Sequence, residues 1–198
     1  AVAMSGDGLT VCIGERKFEK NGRVRCFEWS RGDWTQKGTD IAGYQNGSEF
    51  GYSVALNDNG SIVTAGARHG GSNQEGSVAV FQFKNNEWSM QGGEMFGERK
   101  DDAVGFKVAI SGYGDVVAYT GRGHDLIEKN NTGVVKVMRY VDDAWRPLGN
   151  ILPGYDSNDY FGESVALNHA GTAVAAAANW GNVEYVTAFA LVGDQQVV

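Results

Sequence analysis

Short runs of alternating apolar residues, separated by turn-forming residues, occupy most of the chain. In SVAVFQF (77–83), Val78 and Val80 point to one face of an extended strand, while Ala79 and Phe81 point to the other. Because both faces are apolar, this strand is predicted to lie between two other layers of protein. No long stretch places apolar residues at the i, i+3, i+4, i+7 spacing of a helix, so the pattern predicts an all-β protein.

One hairpin is repeated along the chain. The segment FGYSVALNDNGSIVTAGA (50–67) returns as VGFKVAISGYGDVVAYTG and as FGESVALNHAGTAVAAAA. The central valines of the first strands, Val2, Val54, Val108 and Val165, are spaced roughly 50–60 residues apart, a period typical of propellers and similar β arrays. A single hairpin cannot cover both of its own faces, which explains why the chain repeats it and stacks the copies.

Each repeat contains four strand candidates, A to D, and the repeats run approximately over residues 1–49, 50–103, 104–160 and 161–198. We therefore expect a single domain over 1–198, a β-propeller of four four-stranded antiparallel blades. A closed four-bladed ring is the favoured arrangement, and an arc of a larger propeller is the alternative. The glycine between strands A and B is expected to supply the positive φ of a tight hairpin turn.

Composition agrees with short strands joined by tight turns, since the chain has 29 glycines and 2 prolines. A glycine precedes strand C in three repeats, at Gly22, Gly76 and Gly133, where we expect a turn or the start of a strand. The net charge of −7 argues against a phosphate-binding surface, so no nucleic-acid partner is expected. No apolar run approaches the ~20 residues that span a bilayer. The chain begins AVAMSGDG, without an initiator Met or a signal-peptide pattern, so we expect a longer precursor.

The two cysteines, Cys12 and Cys26, fall on neighbouring strands B and C of the first repeat. Other repeats hold small residues at these positions, such as Thr64 and Val80, so we expect buried, unreactive thiols. A cross-strand disulfide is the alternative. Two cysteines are too few for a disulfide scaffold, and they indicate no compartment by themselves.

The second repeat reads F-G-x-S-V-A-L, a short turn, V-x-x-G-A, and then G-x-V-x-V-F. This pattern resembles the FG-GAP repeat of integrin-like β-propellers, and the resemblance extends over essentially the whole chain. The residues that match it are Phe50, Gly51, Ser53, Gly66, Ala67, Gly76, Phe81, Phe161, Gly162 and Ser164. The W-x-x-x-G strands, Trp34 to Gly38 and Trp145 to Gly149, resemble a shorter variant found in many bacterial and marine algal proteins.

Three features depart from that pattern. The third repeat reads Val104-Gly105-Phe106, the first begins at strand A, and the fourth has no Trp in strand D. The calcium loop that integrin-type repeats carry between strands A and B needs several oxygen ligands, and NDNG or SGDG is too short to supply them. No metal and no other cofactor is therefore expected.

The face that carries the long B–C and D–A loops is where we expect binding, since irregular loops on a rigid scaffold usually carry it. The B–C loops are rich in basic residues and the D–A loops in acidic ones, and such complementary patches would let copies dock on each other. A solvated charged surface is the favoured interpretation of the same charges. The candidate partner-binding residues are Arg16, Lys17, Arg68, His69, Arg122, His124, Glu98, Asp101, Asp102, Asp156 and Asp159.

The recurring tryptophans Trp34, Trp88 and Trp145 are expected to pack between blade edges, whereas Trp180 is the candidate for a sugar-binding aromatic platform. The two loop histidines of adjacent repeats are expected to be exposed rather than to form a metal site. No G-x-S-x-G, H-E-x-x-H or P-loop motif is found. Neighbouring carboxylates such as Asp101 and Asp102 point apart in an extended segment, which makes them poor acid–base partners.

Together these features predict a non-catalytic structural or interaction module that binds protein, including copies of itself, through the face of long loops. A carbohydrate-binding or cell-surface adhesion module is the alternative, by analogy with integrin-like propellers. A glycoside-active enzyme is a further alternative, which requires two facing carboxylates in a cleft. A secreted or cell-surface location and the organelle lumen of an alga both fit the sequence.

Overall fold

Four antiparallel β-sheets, one after another along the chain, make up the protein. The computed structural model describes residues 1–179, 184–192 and 195–197. These residues form strands, turns and bridges arranged as four sheets, which confirms the prediction of an all-β protein with four antiparallel blades. Within the described residues there is no helix long and apolar enough to span a membrane.

Each sheet, called a blade here, is a meander of consecutive strands. Blade 1 contains β1 (Val2–Met4), β2 (Thr10–Glu15), β3 (Arg23–Ser30), β4 (Asp33–Gln36) and β5 (Ile41–Ala42). Blade 2 contains β6 (Ser53–Leu56), β7 (Ile62–Ala67), β8 (Ser77–Lys84), β9 (Glu87–Met90) and β10 (Met95–Phe96). Blade 3 contains β11 (Val104–Ile110), β12 (Val116–Gly121), β13 (Val134–Val141), β14 (Ala144–Pro147) and β15 (Leu152–Pro153). Blade 4 contains β16 (Ser164–Leu167), β17 (Ala173–Asn179), β18 (Glu184–Val192) and β19 (Gln195–Val197).

The fourth strand of the first three blades comes in two pieces. In blade 1, β3 pairs with β4 at one end and with β5 at the other. Between the two pieces the amide of Lys37 still donates to the carbonyl of Cys26, at 2.8 Å. Blades 2 and 3 repeat this arrangement with β9 and β10 and with β14 and β15. The sequence predicts one strand here, and the structure divides it at a local break.

The turn between the first two strands of each blade is closed by a side chain. Asn57 Oδ1 accepts hydrogen bonds from the amides of Ser61 and Ile62, at 3.0 and 2.8 Å. Asn168 does the same in blade 4, and the hydroxyls of Ser5 and Ser111 replace it in blades 1 and 3. The turn glycines have φ between 62° and 81°, as in Gly60 and Gly114, which confirms the hairpin prediction.

The blades stack face to face, and each junction follows one rule. We call the face of a blade that meets the preceding blade its front face, and the opposite face its rear face. The rear face of blade 1, with Cys12 and Val24, packs on the front face of blade 2, with Val54, Val63 and Phe81. The same alternation builds the junction between blades 2 and 3 and that between blades 3 and 4. The core is therefore three separate apolar layers.

Glycines join the blades at their backbones. Gly22 forms a parallel bridge with Phe50, and Gly76 and Gly133 form the equivalent bridges with Val104 and Phe161. All three glycines have positive φ, between 76° and 84°. The sequence predicts a turn or the start of a strand at these positions, and the structure gives them a further role, because they hold one blade to the next.

The recurring tryptophans also link neighbouring blades. Trp88 Nε1 donates to the carbonyl of Lys37 at 2.7 Å, and Trp145 Nε1 donates to that of Gln91 at 2.8 Å. The ring of Trp88 lies where a side chain on Gly38 would project. Gly38 and Gly92 thus leave room for the tryptophan of the following blade, in agreement with the predicted packing of Trp88 and Trp145 between blade edges. For Trp34 the prediction is wrong, since its side chain is 38% exposed and its ring lies 5.5 Å from that of Trp29 in the same blade.

The stack is open at both ends. Strand packing joins blade 1 to 2, 2 to 3 and 3 to 4, and none of comparable extent joins blade 4 to blade 1 within the described residues. On the front face of blade 1, Val2 is 70% exposed and Met4 57%; on the rear face of blade 4, Val186 is 74% exposed. The favoured closed ring is therefore wrong, since the sheets do not close, and an arc of a larger propeller stays a prediction. Closure depends on the rotation from blade to blade, which the alternation of apolar residues does not encode.

The prediction for the cysteines is also corrected. Cys12 and Cys26 lie directly opposite each other on β2 and β3, and they form a disulfide. Both residues are buried in the junction between blades 1 and 2, as expected. The sequence places them on adjacent strands, but only the strand register brings one opposite the other.

Candidate functional site

The B–C and D–A loops meet on one face of the stack, where their charges pair within the chain. Glu49 accepts from Arg68 at 2.7 Å and pairs with Arg16 at 3.4 Å. Arg122 pairs with Glu163 of the next blade at 2.8 Å. These ion pairs connect successive blades, so these charged side chains of the loop face stabilise the junctions of the molecule itself.

Three arginines of the loop face gather around two aromatic rings. We call Arg16, Arg68, Arg122, Tyr52 and Phe106 the arginine–aromatic patch. The guanidinium groups of Arg16 and Arg68 lie 5.0 and 4.6 Å from the centre of the Tyr52 ring, and that of Arg122 lies 5.2 Å from the centre of Phe106. The two rings are themselves 5.4 Å apart. The patch spans blades 1 to 3 and keeps its arginine side chains 27–40% exposed.

Sequence reasoning identified the arginines of this patch and missed the rings. Tyr52 and Phe106 occupy the variable position of F-G-x-S and its counterpart in the third repeat. An aromatic residue at the same place in two successive repeats was the available signal. The partly buried ring of Tyr52 and the buried ring of Phe106 hold the arginines by cation–π contact, which restricts them to one surface.

Two further candidates, Asp102 and His124, form a buried pair. Their side chains are 3% and 6% exposed, and His124 Nδ1 lies 3.3 Å from Asp102 Oδ1. Asp102 Oδ2 also accepts the amides of Glu98 and Arg99, both at 2.9 Å. Burial alone would raise the pKa of Asp102, but these hydrogen bonds outweigh it and hold the pKa below its usual value. The prediction that His124 is exposed is therefore wrong, because the loop before blade 3 covers it, and the buried pair fixes this loop instead of meeting a partner.

Asp159 closes the equivalent loop before blade 4. Its Oδ2 accepts the amides of Tyr155 and Asp156, at 2.9 and 2.8 Å, and the hydroxyl of Tyr185 at 3.1 Å. Burial, together with this carboxylate, raises the pKa of Tyr185 to about 12. Asp159 is 8% exposed, so it too stabilises a loop and does not present charge to a partner.

The other candidates lie at the surface of the loop face. Lys17 and Asp101 are exposed, and His69 is partly exposed. Glu98 pairs with Lys136 at 2.6 Å, and the lysine lowers the pKa of this carboxyl. Asp156 pairs with Lys129 at 3.2 Å and keeps 81% of its side chain exposed. Trp180, the candidate aromatic platform, lies outside the described residues.

An aromatic groove lies between blades 3 and 4. Its lining includes Tyr155, Phe161, Tyr185 and Phe189, and its volume is about 350 Å³. The rings of Tyr155 and Tyr185 are 4.9 Å apart, and Phe161 stacks on Tyr185 at 5.6 Å. Tyr155 is 65% exposed at the mouth of the groove. This arrangement offers flat apolar faces beside hydroxyl and carboxylate groups.

Metal and acid–base sites are not apparent in this part of the chain. No group of three or more His, Cys, Asp and Glu side chains among the described residues could hold a metal ion. The carboxyl groups with a resolved shift, Asp7, Glu15, Glu98 and Asp102, all have a lowered pKa. A glycosidase acid needs the opposite shift, so none of these four suits that role.

Comparison with known proteins gives no family. No protein-family model matches the chain, and no curated protein matches it. The candidate site is therefore interpreted from its own geometry.

Proposed function

We propose that the protein is a non-catalytic structural and interaction module that binds protein through its loop face. The observation that supports this proposal is the arginine–aromatic patch, which combines three partly exposed arginines with two fixed rings. Arginine and tyrosine are enriched at the centres of protein interfaces, where they contribute most of the binding energy. The patch belongs to a stack of packed sheets, so its side chains are positioned before a partner arrives.

The disulfide suggests where such a module works. Disulfides persist in oxidising compartments, and Cys12–Cys26 is buried inside a blade junction. A secreted, cell-surface or lumenal location fits this chemistry. The kinship with FG-GAP repeats stays a prediction; the parallel bridges that Phe50, Val104 and Phe161 make to the preceding blades are compatible with it.

Partner binding is tested by removing the patch arginines. A double variant, Arg68→Ala with Arg122→Ala, is compared with wild type for capture of protein from an extract of the source cells. The control is Arg146→Ala, an exposed arginine on β14, away from the loop face. The proposal expects partners that wild type and the control retain and that the double variant binds at least about tenfold more weakly. Equal capture by all three proteins, or no specific capture, would contradict it.

The aromatic groove favours one second candidate, a carbohydrate-binding module. Sugar rings pack on flat aromatic faces, and Tyr155 and Tyr185 offer such faces beside the Asp159 carboxylate. Titration with soluble polysaccharides, followed by tyrosine-sensitive fluorescence and calorimetry, tests this function. Binding that Tyr155→Ala weakens and Tyr113→Ala preserves would favour it, because Tyr113 is equally exposed on the opposite turn face. Absence of heat and of any spectral change would exclude it.

A further inference from the structure

The three blade junctions use equivalent positions in successive blades, so the strand register identifies which side chains a junction buries. On the rear face, Val24, Val78 and Val135 occupy one position in blades 1, 2 and 3, and all three are fully buried. On the front face, Val54 and Val108 occupy one position and are 9% and 8% exposed. Burial of the side chains at these positions therefore indicates that one blade is packed on the next.

Blade 4 ends the stack with the same kind of rear face, and none of the described residues covers it. Val186 occupies the position of the three buried valines, yet it is 74% exposed. Ala166 and Ala188 are exposed beside it, and Ala175 is partly exposed. Ala166 corresponds to Ala3, Ala55 and Ala109 in the first three blades. The face is thus apolar like the rear faces that are covered, but with smaller side chains, since Ala188 occupies the position of Val80 and Val137.

Blade 1 begins the stack with an uncovered front face of the matching kind. Val2 occupies the position of Val54 and Val108, and it is 70% exposed. Val11 stands where Val63 and Val117 are fully buried in the next two blades, and it is only partly buried. Met4, which is 57% exposed, lies on the same front face.

We infer that a second copy of this chain covers the end of the stack, with the front face of its blade 1 docked on the rear face of blade 4. This contact packs a front face on a rear face, as the three junctions inside the molecule do. It is a head-to-tail contact between two different surfaces, so it generates either a closed ring of copies or a linear array. The inference goes beyond the proposed function, because it uses the two end faces of the stack and not the loop face.

Charge on the two faces is compatible with this contact. Lys136 shows that a cation on a front face is accommodated inside a junction when a carboxylate of the preceding blade meets it, here Glu98 at 2.6 Å. Arg25 occupies the same position on blade 1, where it pairs with Glu15 of the same blade and keeps its side chain 33% exposed. Glu184 is exposed at the edge of the rear face of blade 4 and can add a second carboxylate to this pair. The valines and alanines of the two faces supply the apolar area whose burial drives association.

The experiment measures the mass of the full chain by sedimentation from about 1 to 200 μM, a range that brackets micromolar association. Val186→Glu disables the rear face of blade 4, and Val2→Glu disables the front face of blade 1. Both side chains are exposed in a single copy, so neither change is expected to disturb the fold, which circular dichroism checks. Ile127→Glu, at an 88% exposed position of a B–C loop, is the matched control.

Wild type and Ile127→Glu are expected to assemble, and each end-face variant is expected to associate at least about a hundredfold more weakly, because a charge would be buried without a partner. An equimolar mixture of Val186→Glu and Val2→Glu then gives the sharper result. Each variant keeps one working face, so the mixture is expected to form one-to-one dimers and nothing larger. A contact between two identical surfaces would not show this complementation.

The outcomes separate this inference from the proposed function. A wild type that stays monomeric throughout, or an assembly that persists in both end-face variants, overturns the end-to-end contact. Assembly lost only in Ile127→Glu or in the Arg68→Ala, Arg122→Ala variant overturns it as well, while it leaves protein binding through the loop face intact. If the Arg68→Ala, Arg122→Ala variant loses binding to proteins of the extract but still assembles end to end, the result supports both the proposed function and the end-to-end contact.

Discussion

At the scale of single residues, buried polar groups fix the loops that the sequence suggested for binding. Asp102 and Asp159 each accept two backbone amides and a third side-chain donor. A carboxylate with several donors is stabilised in its charged form even when buried. These acids therefore shape the loop face.

Asp102 is expected to make stability depend on pH. Its folded pKa lies below the ordinary 3.8, so its contribution is present above that value and is lost as the pH falls through the folded pKa. Asp102→Asn is expected to lower the free energy of unfolding by about 1–3 kcal/mol at pH 7. The gap between wild type and variant should shrink below about pH 3.8, as urea titrations at several pH values would show.

The control for that prediction is the neighbouring acid. Asp101 is exposed, so Asp101→Asn should leave the unfolding free energy unchanged from pH 7 to acid. Equal effects of the two substitutions would mean that the loop, and not the buried pair, sets the acid sensitivity.

The disulfide is expected to contribute measurably to stability. It closes a loop with a sequence separation of 14, for which the chain-entropy account gives about 3 kcal/mol. Reduction should therefore lower the melting temperature by roughly 6–12 °C, measured by circular dichroism with and without a phosphine reductant. The double variant Cys12→Thr, Cys26→Val carries the residues of blade 2, and its melting temperature should not respond to reductant.

At the scale of elements, the blades are joined by backbone contacts that only glycine permits. A Cβ on Gly66 of β7 would collide with the carbonyl oxygen of Gly105, at the start of blade 3, and one on Gly14 of β2 would collide with that of Gly51. The hydroxyl of Ser53 donates to the same Gly105 carbonyl at 2.8 Å. Glycine, serine and the F-G dipeptide are thus parts of one junction.

Gly66→Ala is expected to destabilise the protein by about 2–3 kcal/mol, because its new methyl group would displace the backbone of the next blade. Gly93→Ala is the matched control, since a Cβ there meets nothing within 4 Å and neither glycine has positive φ. Chemical unfolding of the two variants measures the difference. Equal stability would show that the blades can separate at this junction at little cost.

At the scale of the whole molecule, the stack has two inner blades with two junctions each and two outer blades with one. In β7 and β12 every residue is buried, whereas strands of the outer blades alternate between buried and partly exposed positions. Stability in such arrays is a sum of unit and nearest-neighbour terms. The outer blades should therefore open more readily than the inner ones.

Hydrogen exchange is expected to show this gradient. Amides of β7 and β12 should exchange more slowly than those of β2 and β17, because opening an inner blade breaks two junctions. Measurement on dilute protein gives the order of protection of the four blades within one copy. Uniform protection across the four blades would indicate that the stack unfolds as one unit.

Much of the candidate site could be predicted from the sequence, since the loop arginines and the variation in loop length are visible there. Three things could not: the burial of Asp102, Asp159 and His124, the rings of Tyr52 and Phe106 beneath the arginines, and the pairing of loop charges within the chain. Each depends on how two loops from different blades approach, and that distance is set by packing.

By itself the sequence determined the strands, their turns and their grouping into four blades, because these follow from alternation of apolar residues, glycine positions and a repeat period that are all local. Only the tertiary structure decided that the stack stays open, that Cys12 meets Cys26, and that Val2 and Val186 are left uncovered. Those outcomes depend on strand register and on the rotation between blades. Both are settled by contacts between residues far apart in the chain.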